Sequence, residues 1–253
     1  MLKALRPKRL DYLFKVRRFG RILVYTISMY LVTHLIVFFY LFPIGTVRII
    51  INPNNASHIK KSTTGLLFSI IGKRLKVLGM GNIDPEKNYL IVSNYPGSYA
   101  GFALMNVFPD ASILVHSFLS RVPIVGFLLK STGATFVQQK GFGRTKQAID
   151  RSLKHIENRS IIILPEGGRS PDGSIRAFKR GFIYIVRHSS LDLLPITLRG
   201  FYNLKPLKRP YLDPDSELEI VIHKPIGRSM AESLGSEGLL KYTVETIKGA
   251  YKP

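Results

Sequence analysis

Cysteine is absent from this 253-residue chain, and acidic residues are scarce. Without cysteine there are no structural disulfides, no thiolate nucleophile and no cysteine-ligated zinc. Histidine is sparse too: six residues, scattered, with no pair at the spacing of a helical metal site, so no metal is implied. The chain shows no internal repeat and no low-complexity linker. With 16 Asp and Glu against 37 Lys and Arg, the formal charge is +21. Such a field attracts polyanions, either nucleic acid or an anionic bilayer. No zinc finger, aromatic RNA-binding strand signature or basic zipper is present, which makes anionic membrane lipid the expected partner, with no nucleic acid expected and a nucleic-acid-binding protein the minority reading. What is plentiful is apolar: 45% of residues are hydrophobic and 21% charged, enough for one substantial domain with its own core plus a small appendage.

Residues 1–63 hold eleven Lys or Arg and the single acid Asp11. Within that segment, Ile22 to Phe42 is a run of 21 residues without a charged side chain, counting His34 as neutral. About 20 apolar residues suffice to cross a hydrocarbon core. The run is longer than a signal-peptide core, and no small-residue cleavage site follows in Leu41-Phe42-Pro43-Ile44-Gly45. Residues 1–73 are therefore expected to be a retained, basic membrane anchor. A single transmembrane helix would export the main domain under the positive-inside rule. Pro43 and Gly45 break the run, however, and a second apolar stretch follows at Leu66–Ile71. A helical hairpin dipping into one leaflet keeps both ends on the cytoplasmic face and is the favoured expectation.

After Arg74 the pattern changes to short β-rich runs: Leu75–Met80, Tyr89–Ser93, Ser112–His116, Thr135–Gln138, Ile161–Leu164, Leu193–Leu198 and Leu218–His223. Helical segments are expected between several of them, at Arg144–Asn158, Ala177–His188 and Gly238–Tyr251. Alternation of this kind predicts one α/β domain, residues 74–253, with a mixed, largely parallel sheet flanked by helices. Ligands gather outside the carboxyl ends of strands in such sheets. The polar and glycine-rich sequences Asn94–Gly101, Gln138–Gly143 and Pro165–Gly173 each follow an apolar strand. Asn94, His116, Lys140, Glu166 and Arg169 are thus expected in one cleft.

The segment Leu164-Pro165-Glu166-Gly167-Gly168-Arg169-Ser170, with Phe178-Lys179-Arg180-Gly181 downstream, has the chemistry of an anion site. Arginine offers a planar fork of paired donors, and glycine lets the backbone come close. A surface turn with a solvated arginine is the plainer alternative for such a string alone. The whole arrangement resembles the lysophosphatidate acyltransferase family, whose third motif reads approximately F-P-E-G-T-R-S with F-K-x-G after it. Gly133-Ala134-Thr135-Phe136-Val137 resembles the start of the second motif, and Leu194-Pro195-Ile196 the fourth. Val122-Pro123-Ile124-Val125-Gly126 matches a segment between the first and second motifs. The resemblance covers about residues 75–225 in order.

The resemblance implies the glycerolipid acyltransferase fold and transfer of an acyl group from a thioester donor, acyl-CoA or acyl-carrier protein, to a lysophospholipid hydroxyl. No bound cofactor is implied; acyl-carrier protein is a further implied partner. Glu166, Gly167, Gly168, Arg169 and Ser170, with Lys140 and Lys179, would form the acceptor's phosphate or glycerol pocket.

The first motif departs from the family. It pairs Asn-His with an Asp five positions after the His; here the stretch is Asn94-Tyr95-Pro96-Gly97-Ser98-Tyr99-Ala100. Tyr95 stands at the histidine position and Ala100 at the aspartate position. A positioned general base contributes about 10²–10⁴ in rate, and tyrosine, with an unperturbed pKa near 10, is a poor base at neutral pH. At the second motif's arginine position stands Gln139, with Lys140 beside it. Two readings follow. In one, His116 at a strand's carboxyl end replaces the base, beside Asn94 and Tyr95; a polar residue capping a strand is its plainer account. In the other, the chain is a catalytically silent relative that binds lipid or supports a partner. Direct attack by Ser98 lacks an adjacent base in the sequence.

Overall fold

Tyr89-Leu90-Ile91-Val92-Ser93 is apolar up to its last residue, and all five residues are buried, as a strand covered on both faces requires. The computed structural model describes residues 8–36, 56–121, 126, 129–130, 134–137 and 159–253. This run is β2, the middle of a seven-stranded sheet. The others are β1 (Leu75–Leu78), β3 (Ser112–His116), β4 (Thr135–Val137), β5 (Ile161–Ile163), β6 (Asp192–Arg199) and β7 (Leu218–Ile222). The order is β1-β7-β6-β2-β5-β3-β4. Strands β6, β2, β5, β3 and β4 run parallel, whereas β7 is antiparallel to β6 and β1 is parallel to β7. All seven expected strands form, with ends within two residues of expectation, and the sheet is mixed and mostly parallel.

Alternation along the strands divides the core in two. Ile91, Ile162, Leu194 and Ile196 face one way, toward α2 (Ala56–Ile70) and α3 (Ala100–Val107). Leu90, Val92, Ile161 and Leu193 face the other way, toward α4 (Gly181–Arg187) and α5 (Arg228–Ala250). On that second side Phe182 is fully buried and meets Phe178 edge-on, ring centroids 6.4 Å apart. The expected helix at Ala177–His188 is shorter, beginning at Gly181, because Phe178 to Arg180 turn beneath the Pro165 loop through Lys179 N–H to the Pro165 carbonyl (2.9 Å). The last helix starts ten residues before the expected Gly238 and passes through a non-helical Gly235. The expected helix at Arg144–Asn158 lies outside the described residues.

The amino-terminal helix α1 (Lys8–Ile36) takes in basic residues ahead of the apolar run as well as much of the run itself. It rests on the domain at several points. Tyr25 donates to the carbonyl of Ile71, the amide of Leu212 donates to Thr26 Oγ1 (3.1 Å), and Arg21 pairs with Asp215 at 2.9 Å. Residues 1–7 and 37–55 of the expected anchor, with the Pro43 and Gly45 break, lie outside the described residues. Among the described residues no helix is long and apolar enough to cross a membrane. The second apolar stretch of the expected hairpin lies at the end of α2, and its Phe68 and Ile71 are spent on the domain core. One face of α2 thus packs inward, while Leu66 of the same stretch stays exposed.

Candidate active site

The carboxyl ends of β2, β5 and β6 meet through side chains that fasten backbone to backbone. Asn94, the first residue beyond β2, is fully buried. Its Oδ1 accepts the Leu198 N–H at 2.8 Å and its Nδ2 donates to the Leu198 carbonyl at 3.0 Å. The amide thereby continues the β2–β6 ladder by one rung, and its polar atoms are engaged by the scaffold.

Glu166, just beyond β5, is also buried. Its Oε1 accepts the Tyr95 N–H at 2.7 Å and its Oε2 the Arg176 N–H at 2.9 Å. Burial holds its carboxyl above the usual glutamate range, opposed by these two amide bonds and by the positive charge of Arg176. Gly167 follows at φ +67, a left-handed conformation that glycine adopts without strain, and this turn carries the chain back toward the β2 loop. Ser170 N–H donates to the Tyr95 carbonyl at 3.0 Å, while Ser170 Oγ accepts from Gly173 N–H at 2.9 Å. Residues 94–98 and 166–176 are consequently one joined structure.

Arg169, half-buried, extends from that structure and donates through Nη1 to Ser98 Oγ at 2.7 Å. Among the described residues no carboxylate pairs with it. A half-buried guanidinium whose protein partner is a neutral hydroxyl keeps donors for an anion. Gly168 lies beside it, and Lys179 stands exposed after the same loop. Tyr95 is half-buried; burial raises its phenol above the ordinary value, partly offset by Arg169, so its oxygen is a donor rather than a base at neutral pH. Ala100 is fully buried at the start of α3.

His116 ends β3 at the same edge of the sheet, two strands from β2, which is about 10 Å at ordinary strand spacing. It is exposed, and its Nδ1 accepts the Phe118 N–H at 3.0 Å. That bond puts the neutral ring's proton on Nε2. Asn94, His116, Glu166 and Arg169 therefore share the carboxyl end of the sheet, as the strand pattern predicts; Lys140 and Gln139 lie outside the described residues. The sequence reading missed Ser98 as the partner of Arg169 and missed the Lys205-Pro206-Leu207-Lys208-Arg209 segment beyond β6. A readable signal existed for the latter: a basic run interrupted by Pro206 and closed by Pro210, a few residues after a strand.

Residues 74–199 match the family model described as Acyltransferase. The chain is 30% identical over 157 residues to the 1-acyl-sn-glycerol-3-phosphate acyltransferase of Borreliella burgdorferi, covering 61% of each protein. It is 21% identical over 160 residues to the alpha enzyme of that name from Mus musculus, covering 62% of this chain and 56% of the relative. These matches span less than two thirds of either relative's length. The fold superposes on the crystal structure of the 1-acyl-sn-glycerophosphate acyltransferase PlsC from Thermotoga maritima, with TM-score 0.77 and 22% identity over 92% of this chain and 95% of that one. The strand order, the Glu-Gly-Gly-Arg loop at the carboxyl end of β5 and the family match over residues 74–199 converge, and the chain belongs to the acyltransferase family.

Proposed function

We propose that the chain transfers an acyl group from a thioester donor, acyl-CoA or acyl-carrier protein, to the free hydroxyl of a lysophospholipid during phospholipid synthesis or remodelling. The observation that carries this reading is Arg169, half-buried, bonded to Ser98 and without a carboxylate partner among the described residues. Such a group suits the phosphate of an acceptor, with Gly167 and Gly168 allowing close approach. In the reaction the acceptor oxygen attacks the thioester carbonyl, a C–O bond forms, the C–S bond breaks, and the hydroxyl proton passes to a base while the thiolate leaves. His116 is the proposed base. It acts through Nδ1 after releasing the Phe118 N–H, a bond worth about 1 kcal/mol net.

Seven large apolar side chains of α1 support a membrane surface as the workplace. Val16, Phe19, Leu23, Val24, Ile27, Tyr30 and Leu31 are exposed, most of them at the three- and four-residue steps of one helix face. With Arg17, Arg18 and Arg21 around them, this is the composition of a helix lying in the interface of an anionic leaflet on the cytoplasmic side.

A second reading, a silent relative that binds lipid without turnover, is favoured by one observation: neither Tyr95 nor Ala100 supplies the family's base and orienting acid. The deciding experiment is an acyl-transfer assay on purified protein with both thioester carriers and a panel of lysophospholipids. Turnover supports the enzyme; binding of lysophospholipid without turnover supports the silent relative.

A further inference from the structure

The loop between β6 and β7 sorts its charges. Asp213 and Asp215 turn toward α1, where Arg18 and Arg21 meet them at 3.8 and 2.9 Å, and Lys73 Nζ ties the same stretch by donating to the carbonyls of Pro214 (2.5 Å) and Ser216 (2.6 Å). The loop's basic beginning, Lys205 to Arg209, lies at the other end, against the acceptor site. A Cβ built on Gly97 would sit 2.7 Å from the carbonyl oxygen of Phe201 and 3.6 Å from that of Lys205. Only glycine permits that approach, so the turn that carries Ser98, and through it Arg169, is pressed on the start of this loop.

Within the loop, Lys205 Nζ donates to the carbonyl of Arg209 at 3.1 Å, and the Arg209 guanidinium lies over the Tyr211 ring, 4.7 Å from its centroid. Arg209 also donates to the carbonyl of Asn203, yet its Nε is buried with no acceptor. None of Arg169, Lys205 and Arg209 forms an ion pair among the described residues, whereas Asp213 and Asp215 of the same loop are committed to α1. Burial, and then the fields of Arg169 and Arg209, hold the Lys205 amine below its ordinary value. Three cations gathered without a carboxylate repel one another unless an anion joins them.

We propose that Lys205, backed by Arg209, is a second cation of the acceptor's phosphate site, so that a terminal phosphate is clamped between Arg169 and the β6–β7 loop. This rests on the acceptor reading of Arg169. A phosphomonoester carries close to two negative charges near neutral pH and suits two cations. A choline phosphodiester carries one, next to a quaternary ammonium that Lys205 and Arg209 repel. The clamp therefore selects a lysolipid with a bare phosphate, and the bracing of the same loop on α1 brings that site to the helix with the exposed apolar face.

The test is isothermal titration of the full chain with short-chain lysophosphatidate below its micellar concentration, at fixed ionic strength. Short-chain lysophosphatidylcholine and inorganic phosphate serve as comparison ligands. Lys205→Met should weaken lysophosphatidate binding at least tenfold while leaving lysophosphatidylcholine within a factor of about three, and Lys205→Arg should retain the parent affinity. Parallel melting curves of the two variants separate charge from folding. Lysophosphatidate binding unchanged by Lys205→Met, or weakened equally for both lipids, overturns the clamp. Inorganic phosphate binding as tightly as lysophosphatidate also overturns it, by identifying a free-phosphate site. Arg169→Met distinguishes the two levels of the argument: if it leaves lysophosphatidate binding intact, the acceptor reading itself fails, whereas a loss in Arg169→Met without one in Lys205→Met removes Lys205 alone.

Discussion

The carboxylate of Glu166 accepts the backbone N–H of Tyr95 at 2.7 Å, which makes the arginine-bearing loop and the altered first-motif loop parts of one buried joint. The second oxygen, bonded to Arg176 N–H, fixes the outgoing end of the same loop. Glu166→Gln replaces one acceptor by an NH₂ that faces an amide donor. An unfolding titration should show a loss of about 1–3 kcal/mol, the usual penalty for a buried donor left unpaired. Lysophosphatidate binding should weaken with it, since Arg169 is positioned by this loop. A stability change under about 0.5 kcal/mol, the level of ordinary surface substitutions, would show that the joint is not needed.

The base assignment has its own test. His116→Ala should lower turnover by about 10²–10⁴, the effect of losing a general base, while acceptor binding stays near that of the parent. Activity that survives His116→Ala removes the candidate and keeps the enzyme. The complementary variant, Tyr95→His with Ala100→Asp, restores the family pair. The Ala100 site is fully buried, so the new carboxylate depends on the new imidazole as its partner. Turnover that arises only in this double variant makes the natural chain the silent relative.

Lys60 gives a pH signature. It is buried on α2, with Nζ donating to the Ala111 carbonyl at 3.2 Å, and burial lowers its pKa from 10.5 to about 8. Below pH 8 both folded and unfolded chains hold the proton, and the fold bears the full burden of the buried charge. Between pH 8 and 10.5 the unfolded chain keeps a proton that the folded chain has released, so this group's contribution to stability improves as pH rises. Relative to Lys60→Met, the parent should gain roughly 1–3 kcal/mol between pH 8 and pH 10 in denaturant unfolding. Parallel pH profiles for the two proteins would contradict the buried, charged lysine.

The apolar face of α1 predicts a membrane effect separable from stability. Phe19 and Ile27 are 62% and 59% exposed, so replacing both by Glu removes little folded-state packing. Vesicle sedimentation with anionic lipid should show at least a tenfold fall in binding, given about 1.5–3 kcal/mol for burying each such side chain. The melting temperature should stay within a few degrees. Retained vesicle binding would move the membrane contact elsewhere on the molecule.

All seven strands were legible because each is a short run rich in leucine, β-branched or aromatic residues, and hydrophobic pattern is a local property of the chain. That polar and glycine-rich sequences follow those strands was legible for the same reason, and it places Asn94, His116, Glu166 and Arg169 at one end of the sheet. Helix ends were less so. Nothing local separates Ala177–Arg180 from the start of α4, since only the contact of Lys179 with the Pro165 loop decides that they turn. The apolar stretch at Leu66–Ile71 read as membrane-seeking because hydrophobicity does not say which surface will cover it, and the domain core covers Phe68 and Ile71.

Roles within the site depended on distance across the chain. A sequence shows that Asn94 and Glu166 have polar side chains at strand ends; it does not show that both are spent on backbone amides 104 and 71 residues away. Nor does it show that Ser98 meets Arg169, or that Lys205 arrives beside them. The chain itself determined which elements form and which residues are chemically able to bind an anion, because these follow from side-chain identity and short-range periodicity. Only the tertiary structure decided which of those residues hold the scaffold and which keep free donors, because hydrogen-bond satisfaction and charge compensation are settled between segments that meet only when the sheet assembles.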